Sequence, residues 1–470
     1  MTELWQRTAT DLRRMLGAGQ VSAREVLDAH LARIEAVNPT INAIVTLSFE
    51  RAVDDASRAD EAHVSGGSLG LLHGLPIAHK DLAETAGIRT TMGSPVFADH
   101  VPERDELLVQ RLRAAGCVTV GKTNTPEFGA GSHTFNPVFG ATGNPHDPSR
   151  SAGGSSGGAA AALASGMVPL ADGSDLGGSL RNPASFCGII GLRPTPGTVP
   201  TWPSGDPWDP LPTGGPMGRT AADVALLLEA MSGPHPEVPF QGAVGPFAPL
   251  DRSLAGLRVA WSPDAGGLTV ESAVRDALVG VPARLEAQGC VVAAAFPDLR
   301  GAGESFQTLR AVGFERNLGI LYDERPEVLK ETIRWNIEVA RRQSAADVGV
   351  ALRHRAALQE RVRRFFERYD VIALPTVQVV PFPIELDWVR DIEGVPMDNY
   401  LSWMQSCTDI TMTGCPAISV PAGFTPDGLP VGVQLVARPG QELLLLQIAH
   451  ALDHDGALDP PPGGDRKLTV

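Results

Sequence analysis

The sequence predicts an α/β protein, a parallel sheet under helical cover. Two observations carry that prediction. Between residues 257 and 296, apolar runs alternate with helical periodicity, and βαβ alternation of this kind builds a parallel sheet. Farther on, 370–376 (DVIALPT) reads as a buried strand. At 470 residues the chain exceeds the usual domain length, but one large α/β domain with insertions accommodates it.

In chain order, residues 3–16 and 22–37 have helical periodicity. The second stretch opens on Ser22-Ala23-Arg24-Glu25, a capping-box pattern, and is expected to stop before Asn38-Pro39, where proline disfavours continuation. A third helix is expected over about 48–62. Residues 74–81 (GLPIAHKD) form a short apolar strand that ends by delivering a lysine. Residues 105–115 form a helix stopped by Gly116, and Cys117-Val118-Thr119-Val120 follow as a strand. Gly116-x4-Gly121-Lys122-Thr123 carries the letters of a nucleotide-binding P-loop, but that motif needs strand, loop and helix in this order. Here a helix comes first and β-branched residues fill the middle, which excludes ATP or GTP binding. Residues 124–151, rich in Gly, Pro, Asn and His, read as an ordered loop. Glu127, Phe128, Ser132, His133 and Phe135 could line the way to a site. His133 and His146 lack a second ligand at metal-binding spacing.

Residues 187–195 (CGIIGLRPT) read as a return into the core. Residues 197–218 form a long irregular segment, a class that is usually functional or disordered, and Thr220 caps a helix over Ala221–Met231. Proline-rich 234–256 is the best candidate for an internal boundary. Strands at 257–261 and 291–296 flank a helix over about 271–288. Residues 304–321 and about 325–368 are helical. The tail from 411 holds two apolar strands around the turn Thr425-Pro426-Asp427-Gly428 and a closing helix over about 441–453.

Charge and cysteine usage narrow the function. Lysine and arginine number 39 against 54 acidic residues, a net charge of −15, which argues against nucleic acid or an anionic membrane as main partner. Five scattered cysteines without a CxxC fit a reducing cytoplasm and offer neither a disulfide framework nor a zinc site. The N-terminus lacks a signal pattern, and no run approaches the roughly 18 apolar residues of a membrane span. The expected protein is soluble and cytoplasmic.

The chemistry concentrates in residues 151–184 (SAGGSSGGAAAALASGMVPLADGSDLGGSLRNPA). Two serine clusters, Gly153-Gly154-Ser155-Ser156-Gly157-Gly158 and Gly177-Gly178-Ser179, flank an alanine-rich run suited to a helix. Glycines around a serine let backbone N–H groups approach a reacting atom and stabilise an oxyanion in acyl transfer. A flexible Gly/Ser linker is the bland alternative, but linkers do not interleave with an apolar run such as Met167-Val168-Pro169-Leu170, read here as a buried strand. A serine nucleophile needs a base. Any of eleven histidines could serve from elsewhere in the chain. The window Leu176-Gly177-Gly178-Ser179-Leu180-Arg181, however, does not fit the G-x-S-x-G elbow of histidine-based hydrolases. Only four lysines occur (Lys80, Lys122, Lys330, Lys467), and Lys80 ends an apolar strand. Burial would leave it a neutral amine able to take a proton. A Ser–Lys arrangement is the better fit.

These segments resemble the amidase signature family. The family pattern G-G-S-S-G-G stands at 153–158, D-x-G-G-S-[IVL]-R at 175–181 and G-[IL]-P-x-x-x-K-D at 74–81. Similar segments are PEFGAGS (126–132), GLRPT (191–195), GPMGRT (215–220), DVIALPT (370–376) and TGCPAISVPAGF…GLPVGVQLV (413–436). The likeness spans about residues 5–455, within the usual boundary error. It implies a large mixed, mostly parallel, twisted β-sheet covered by helices on both faces. One domain would span 1–470, with a helical layer to about 65, a signature core to about 232, a variable region to about 410 and C-terminal strands and helix to about 455. It further implies Ser179 as nucleophile, Ser155 as a bridging serine on a cis peptide bond and Lys80 as base. The amides of Leu176, Gly177, Gly178 and Ser179 would form an oxyanion hole, with Ser156, Asp175 and Arg181 in support. Gly129, Ser132 and Phe135 are candidate substrate contacts. No metal or organic cofactor is expected, the partner is a small-molecule amide, and a homodimer is left open. One residue departs from the family pattern: His79 stands where an apolar residue is usual. Strand alternation points it away from Lys80, into a hydrogen-bonded packing role.

The expected reaction is hydrolysis of a carboxylic amide, with carbamate or ester hydrolysis open to the same acyl-enzyme chemistry. A component of an amidotransferase for mischarged tRNA is opposed by the acidic balance and by 196–208 (PGTVPTWPSGDPW), which lacks that subfamily's pattern. A non-catalytic binding protein is opposed by retention of all three positions. For the substrate pocket, Phe135, Phe139, Phe306, Leu321, Trp335, Trp388, Met397 and Trp403 offer apolar lining suited to an aryl or long acyl group.

Overall fold

Short runs of Val, Ile, Leu and Ala, too short for buried helices, assemble into one eleven-stranded sheet. The computed structural model describes residues 3–242 and 244–453. Numbered along the chain, the sheet strands are β1 Ile44–Leu47, β2 Pro76–Lys80, β3 Val118–Thr123, β4 Leu170–Asp175, β5 Ile190–Arg193 and β6 Thr213–Gly218, followed by β7 Arg258–Trp261, β8 Val291–Ala294, β9 Val371–Pro375, β10 Ala417–Phe424 and β11 Pro430–Val436. They lie side by side in the order β1-β3-β2-β4-β6-β5-β10-β11-β9-β7-β8. The sheet is mixed, as the resemblance implies, but its expected parallel majority is corrected: four neighbouring pairs are parallel and six antiparallel. The parallel pairs come from helical crossovers, of which β7–β8 is the one most legible in the sequence. The antiparallel pairs are β1–β3 and all those from β4 across to β9, which include the hairpin β10–β11 around 425–428.

Several boundaries move for identifiable reasons. The second helix runs over Ala23–Ile41, across Pro39, because that proline falls in the last turn, where a single N–H is lost. Asn38 then accepts the N–H groups of Ala43 and Ile44, both at 2.9 Å, and closes the end. The strand expected at 167–170 begins only at Leu170 and continues through Gly173 to Asp175, because β2 and β6 flank it and supply the ladder. The irregular stretch 197–218 ends as strand β6. The helix expected over 271–288 is two short ones, Ser272–Ala277 and Val281–Ala287. All but the first two letters of the P-loop fall inside β3, so no phosphate loop exists there.

One helix positions the serine clusters. Gly157–Ala164 is buried throughout its first seven residues, and alanine's small side chain lets it press against β1, β2, β3 and β4. Its N-terminus carries the first cluster, and the strand that follows it, β4, ends at the second.

Candidate active site

All five residues of β2 are buried, and their alternation divides two polar neighbours. His79 turns to one side, where Nδ1 meets Asp172 Oδ2 at 2.5 Å and Nε2 meets Thr119 Oγ1 at 3.2 Å. This is the packing role expected of it. Lys80 turns to the other side. Its Nζ donates to Ser155 Oγ at 2.8 Å, Ser156 Oγ at 2.9 Å and Ser174 Oγ at 3.1 Å. Only 2 % of Lys80 is exposed. Burial pushes its pKa down to about 7, outweighing the pull of Asp175 and Asp172 in the opposite direction.

Ser155 follows a cis peptide bond from Gly154. Ser155, Ser179, Gly129, Leu176 and Gly177 line one cavity of about 180 Å³, with Phe306 also on its wall. Glycine is required at two points of this wall. At Gly129 (φ +69°) an added Cβ would sit 2.9 Å from Leu82 and 3.4 Å from Ser155 Oγ, and at Gly177 it would sit 2.8 Å from Phe306. Ser156 joins the two clusters: besides accepting from Lys80, it donates its backbone N–H to the Ser179 carbonyl at 3.2 Å.

Asp175 shapes the second cluster. Its carboxylate accepts from Gly178 N at 2.8 Å and Leu180 N at 3.1 Å, and from Arg181 Nε at 3.0 Å and Nη2 at 2.9 Å. Arg193 donates to the Asp175 carbonyl. Burial alone would raise this carboxyl, but Arg181 and Arg193 hold it well below the usual carboxylate range. Of the four expected oxyanion donors, Gly178 is therefore engaged inside the loop. No acceptor among the described residues takes the N–H of Leu176, Gly177 or Ser179.

Gly129 alone among the three candidate substrate contacts reaches this cavity. Ser132 does not, because its hydroxyl donates to the Gly154 carbonyl at 2.7 Å and accepts from Asn182 at 2.8 Å. Phe135 instead lies against His133 and under Lys330, whose Nζ stands 4.0 Å from the ring centre. His133 holds Ser151 and the Ile384 carbonyl. Among the described residues, no group of three or more His, Cys, Asp or Glu is placed to hold a metal.

Comparison with known proteins now decides the family. The family model described as Amidase matches residues 25–446. The chain belongs to the amidase signature enzymes. It is 37% identical to an acylamidase of Rhodococcus erythropolis, over 94% of each chain. It is also 37% identical to a glutamyl-tRNA(Gln) amidotransferase subunit of Chloroflexus aurantiacus, over 96% of this chain and 97% of that one. Among solved structures, a bacterial aryl acylamidase superposes with a TM-score of 0.89 at 25% identity, covering 95% of this chain and 96% of the other. A 6-aminohexanoate cyclic dimer hydrolase superposes with a TM-score of 0.86 at 31% identity over 97% of both. The chain is an amide-hydrolysing enzyme, and its target is a carboxylic amide C–N bond. No helix among the described residues is long and apolar enough to cross a membrane.

This amidase has a wider recess beyond the small cavity. A cleft of about 590 Å³ shares Leu82, Phe128, Leu176, Pro212, Arg310 and Phe314 with it and extends along the outer face of the helix Ala302–Glu324. Of the eight apolar residues expected at the pocket, Phe306 lines the inner cavity and Leu321 the outer cleft. Trp403 is core, packed on Phe186 and Phe382. Trp335 stacks edge-on against Tyr400, Phe139 lies under Arg89 and Trp388 under Arg390. Absent from the sequence-based expectations are Arg310, Phe314 and Met404, all of which line the inner cavity. For Arg310 and Phe314 a signal was present: they follow Phe306 at intervals of four residues, along one side of a helix. Lys122 is buried too, but its Nζ is taken by Ala83, Thr85 and Thr90, a structural tie. Lys467 lies outside the described residues.

Proposed function

We propose that this enzyme hydrolyses hydrophobic or aryl carboxylic amides through an acyl-enzyme on Ser179. One observation carries the reading: a desolvated lysine, its pKa brought to about 7, is bonded to Ser155 on the wall of the cavity that also holds Ser179. Neutral Lys80 draws a proton through Ser155, and Ser179 attacks the amide carbon. The oxyanion is received by the free amides of Leu176, Gly177 and Ser179, which would stabilise it in a water-poor recess. Gly178 contributes by fixing the loop through Asp175. Ser155 then hands its proton to the leaving nitrogen, which departs poorly without one. Water enters and the same relay runs in reverse to release the acid. Ser156 and the Asp175–Arg181 pair hold the two loops in register.

The apolar outer cleft supports a substrate with a large hydrophobic group, and names among the relatives, acylamidase and aryl acylamidase, are of the same kind. The test is a panel of anilide, primary amide, ester and carbamate substrates given to wild type and Ser179→Ala. Anilides are expected to be turned over fastest, and Ser179→Ala is expected to be inactive on all of them while unfolding at the wild-type temperature. Turnover that survives in Ser179→Ala would overturn the assignment of the nucleophile. Amidotransferase relatives of equal identity keep a second reading open, as one component of a larger assembly. Co-purification of partner chains from the native host would favour it.

A further inference from the structure

We propose that Arg310 forms an anion subsite beside the nucleophile, and that the amides this enzyme prefers carry a carboxylate away from the scissile bond. Arg310 lines both the inner cavity and the outer cleft, yet is only 6 % exposed. A guanidinium so buried normally faces a carboxylate, because an unpaired buried charge is strongly unfavourable. Among the described residues no carboxylate bonds to it. Its Nη2 donates to Tyr400 Oη at 2.7 Å, and its Nε has no hydrogen-bond partner among the described residues. The rings of Phe314 and Tyr400, at 4.4 and 5.5 Å, take part of the charge. Asp209, which also lines the cleft, is held by Arg316 at 3.1 Å.

Tyr400 is itself fixed, since it also accepts from Asn336 at 2.6 Å. Arg310 is thus held in place, walled by apolar residues and short of an anion, which is how a cleft recognises a ligand carboxylate. A substrate without the charge leaves the guanidinium unanswered, and sites of this type discriminate strongly against such analogues.

The inference rests on the amide-hydrolase reading. Two series separate the possible positions of the charge: ω-carboxyacyl anilides (succinyl, glutaryl, adipyl) and N-acyl amino acids, each compared with its methyl ester. Wild type is expected to favour the acid at least tenfold in kcat/KM in one series, chiefly through KM. Arg310→Met is expected to abolish that ratio and Arg310→Lys to restore part of it. The proposal is overturned if wild type handles ester and acid alike in both series, a result that needs no variant to fold. It is equally overturned if Arg310→Met loses acid and ester in the same proportion. If nothing at all is hydrolysed, the hydrolase reading fails instead. Calorimetric binding of glutaric acid monoanilide and N-hexanoylglycine to Ser179→Ala then decides the subsite by itself, requiring binding that Arg310→Met removes.

Discussion

Lys80 can act as a base only because desolvation outweighs attraction. Two acids lie near enough to raise its pKa, but each is already committed: Asp175 to Arg181 and Arg193, Asp172 to His79 and to the Lys80 backbone N–H. Their pull is blunted, and burial brings the ammonium to about 7. The sign of the pH dependence follows. The working form is the neutral amine, so kcat/KM should rise with pH, reach half its limit near pH 7 and level off above. A profile that falls between pH 6 and pH 8 on a neutral anilide would contradict a lysine base. Lys80→Ala should lower kcat by about 10²–10⁴, the usual share of general acid–base catalysis, with the far-UV circular dichroism unchanged. Near-wild-type turnover of this variant at neutral pH would refute the assignment.

The loop 176–179 keeps its shape because the element after it, the helix Arg181–Cys187, carries the arginine that clamps Asp175. The same guanidinium reaches the Cys407 carbonyl at 3.1 Å and Gln434 at 2.6 Å, tying the loop to a helix and a strand far along the chain. Removing Arg181 leaves the buried Asp175 with Arg193 as its one remaining cation and strips the Cys407 carbonyl and Gln434 of their donor. Arg181→Met should therefore cost about 3–5 kcal/mol, seen in urea as a lower midpoint with unchanged slope, and activity should fall with it. A loss below about 1 kcal/mol would equate the pair with an exposed one. Elements with local signals were legible in the sequence: the Thr220-capped helix Ala221–Met231, the helix Phe49–Val64 and the hairpin around 425–428. Elements whose signal is tertiary were not. β4 spells LADGSD, a turn-like composition that becomes a strand because small side chains fit between two neighbours. β1 and the helix Gln405–Thr413 went unseen because four residues, or a polar run of Thr and Ser, carry little periodicity.

Across the whole molecule, the chemical half of the candidate site was readable and its walls only in part, since Phe306 and Leu321 of the eight named apolar residues reach a cavity. Ser155 and Ser179 stand in glycine-rich clusters, and Lys80 ends an apolar strand in a chain poor in lysine, so each carries a signal of its own. Phe306, Phe314 and Leu321 stand on a helix whose apolar residues are spread around its circumference, so the sequence does not separate those that meet core from those that meet cleft. Only the packing distinguishes them: Phe306 lines the inner cavity, while Gly313 and Leu321 border the outer one. If that outer cleft receives the hydrophobic group, filling it should change selectivity more than chemistry. Gly313 is the place to try. It is helical, it has no positive φ, and an added Cβ would meet nothing closer than Arg316 Nη2 at 3.8 Å. Gly313→Phe should not destabilise the fold, since glycine inside a helix is about 1 kcal/mol worse than alanine. It should, however, occupy space that a long acyl chain needs. Losing room for even one methylene is a matter of about 1–3 kcal/mol. The ratio of kcat/KM for hexananilide over acetanilide should therefore fall about tenfold or more. An unchanged ratio would place the hydrophobic group elsewhere and leave the outer cleft without a part in substrate selection.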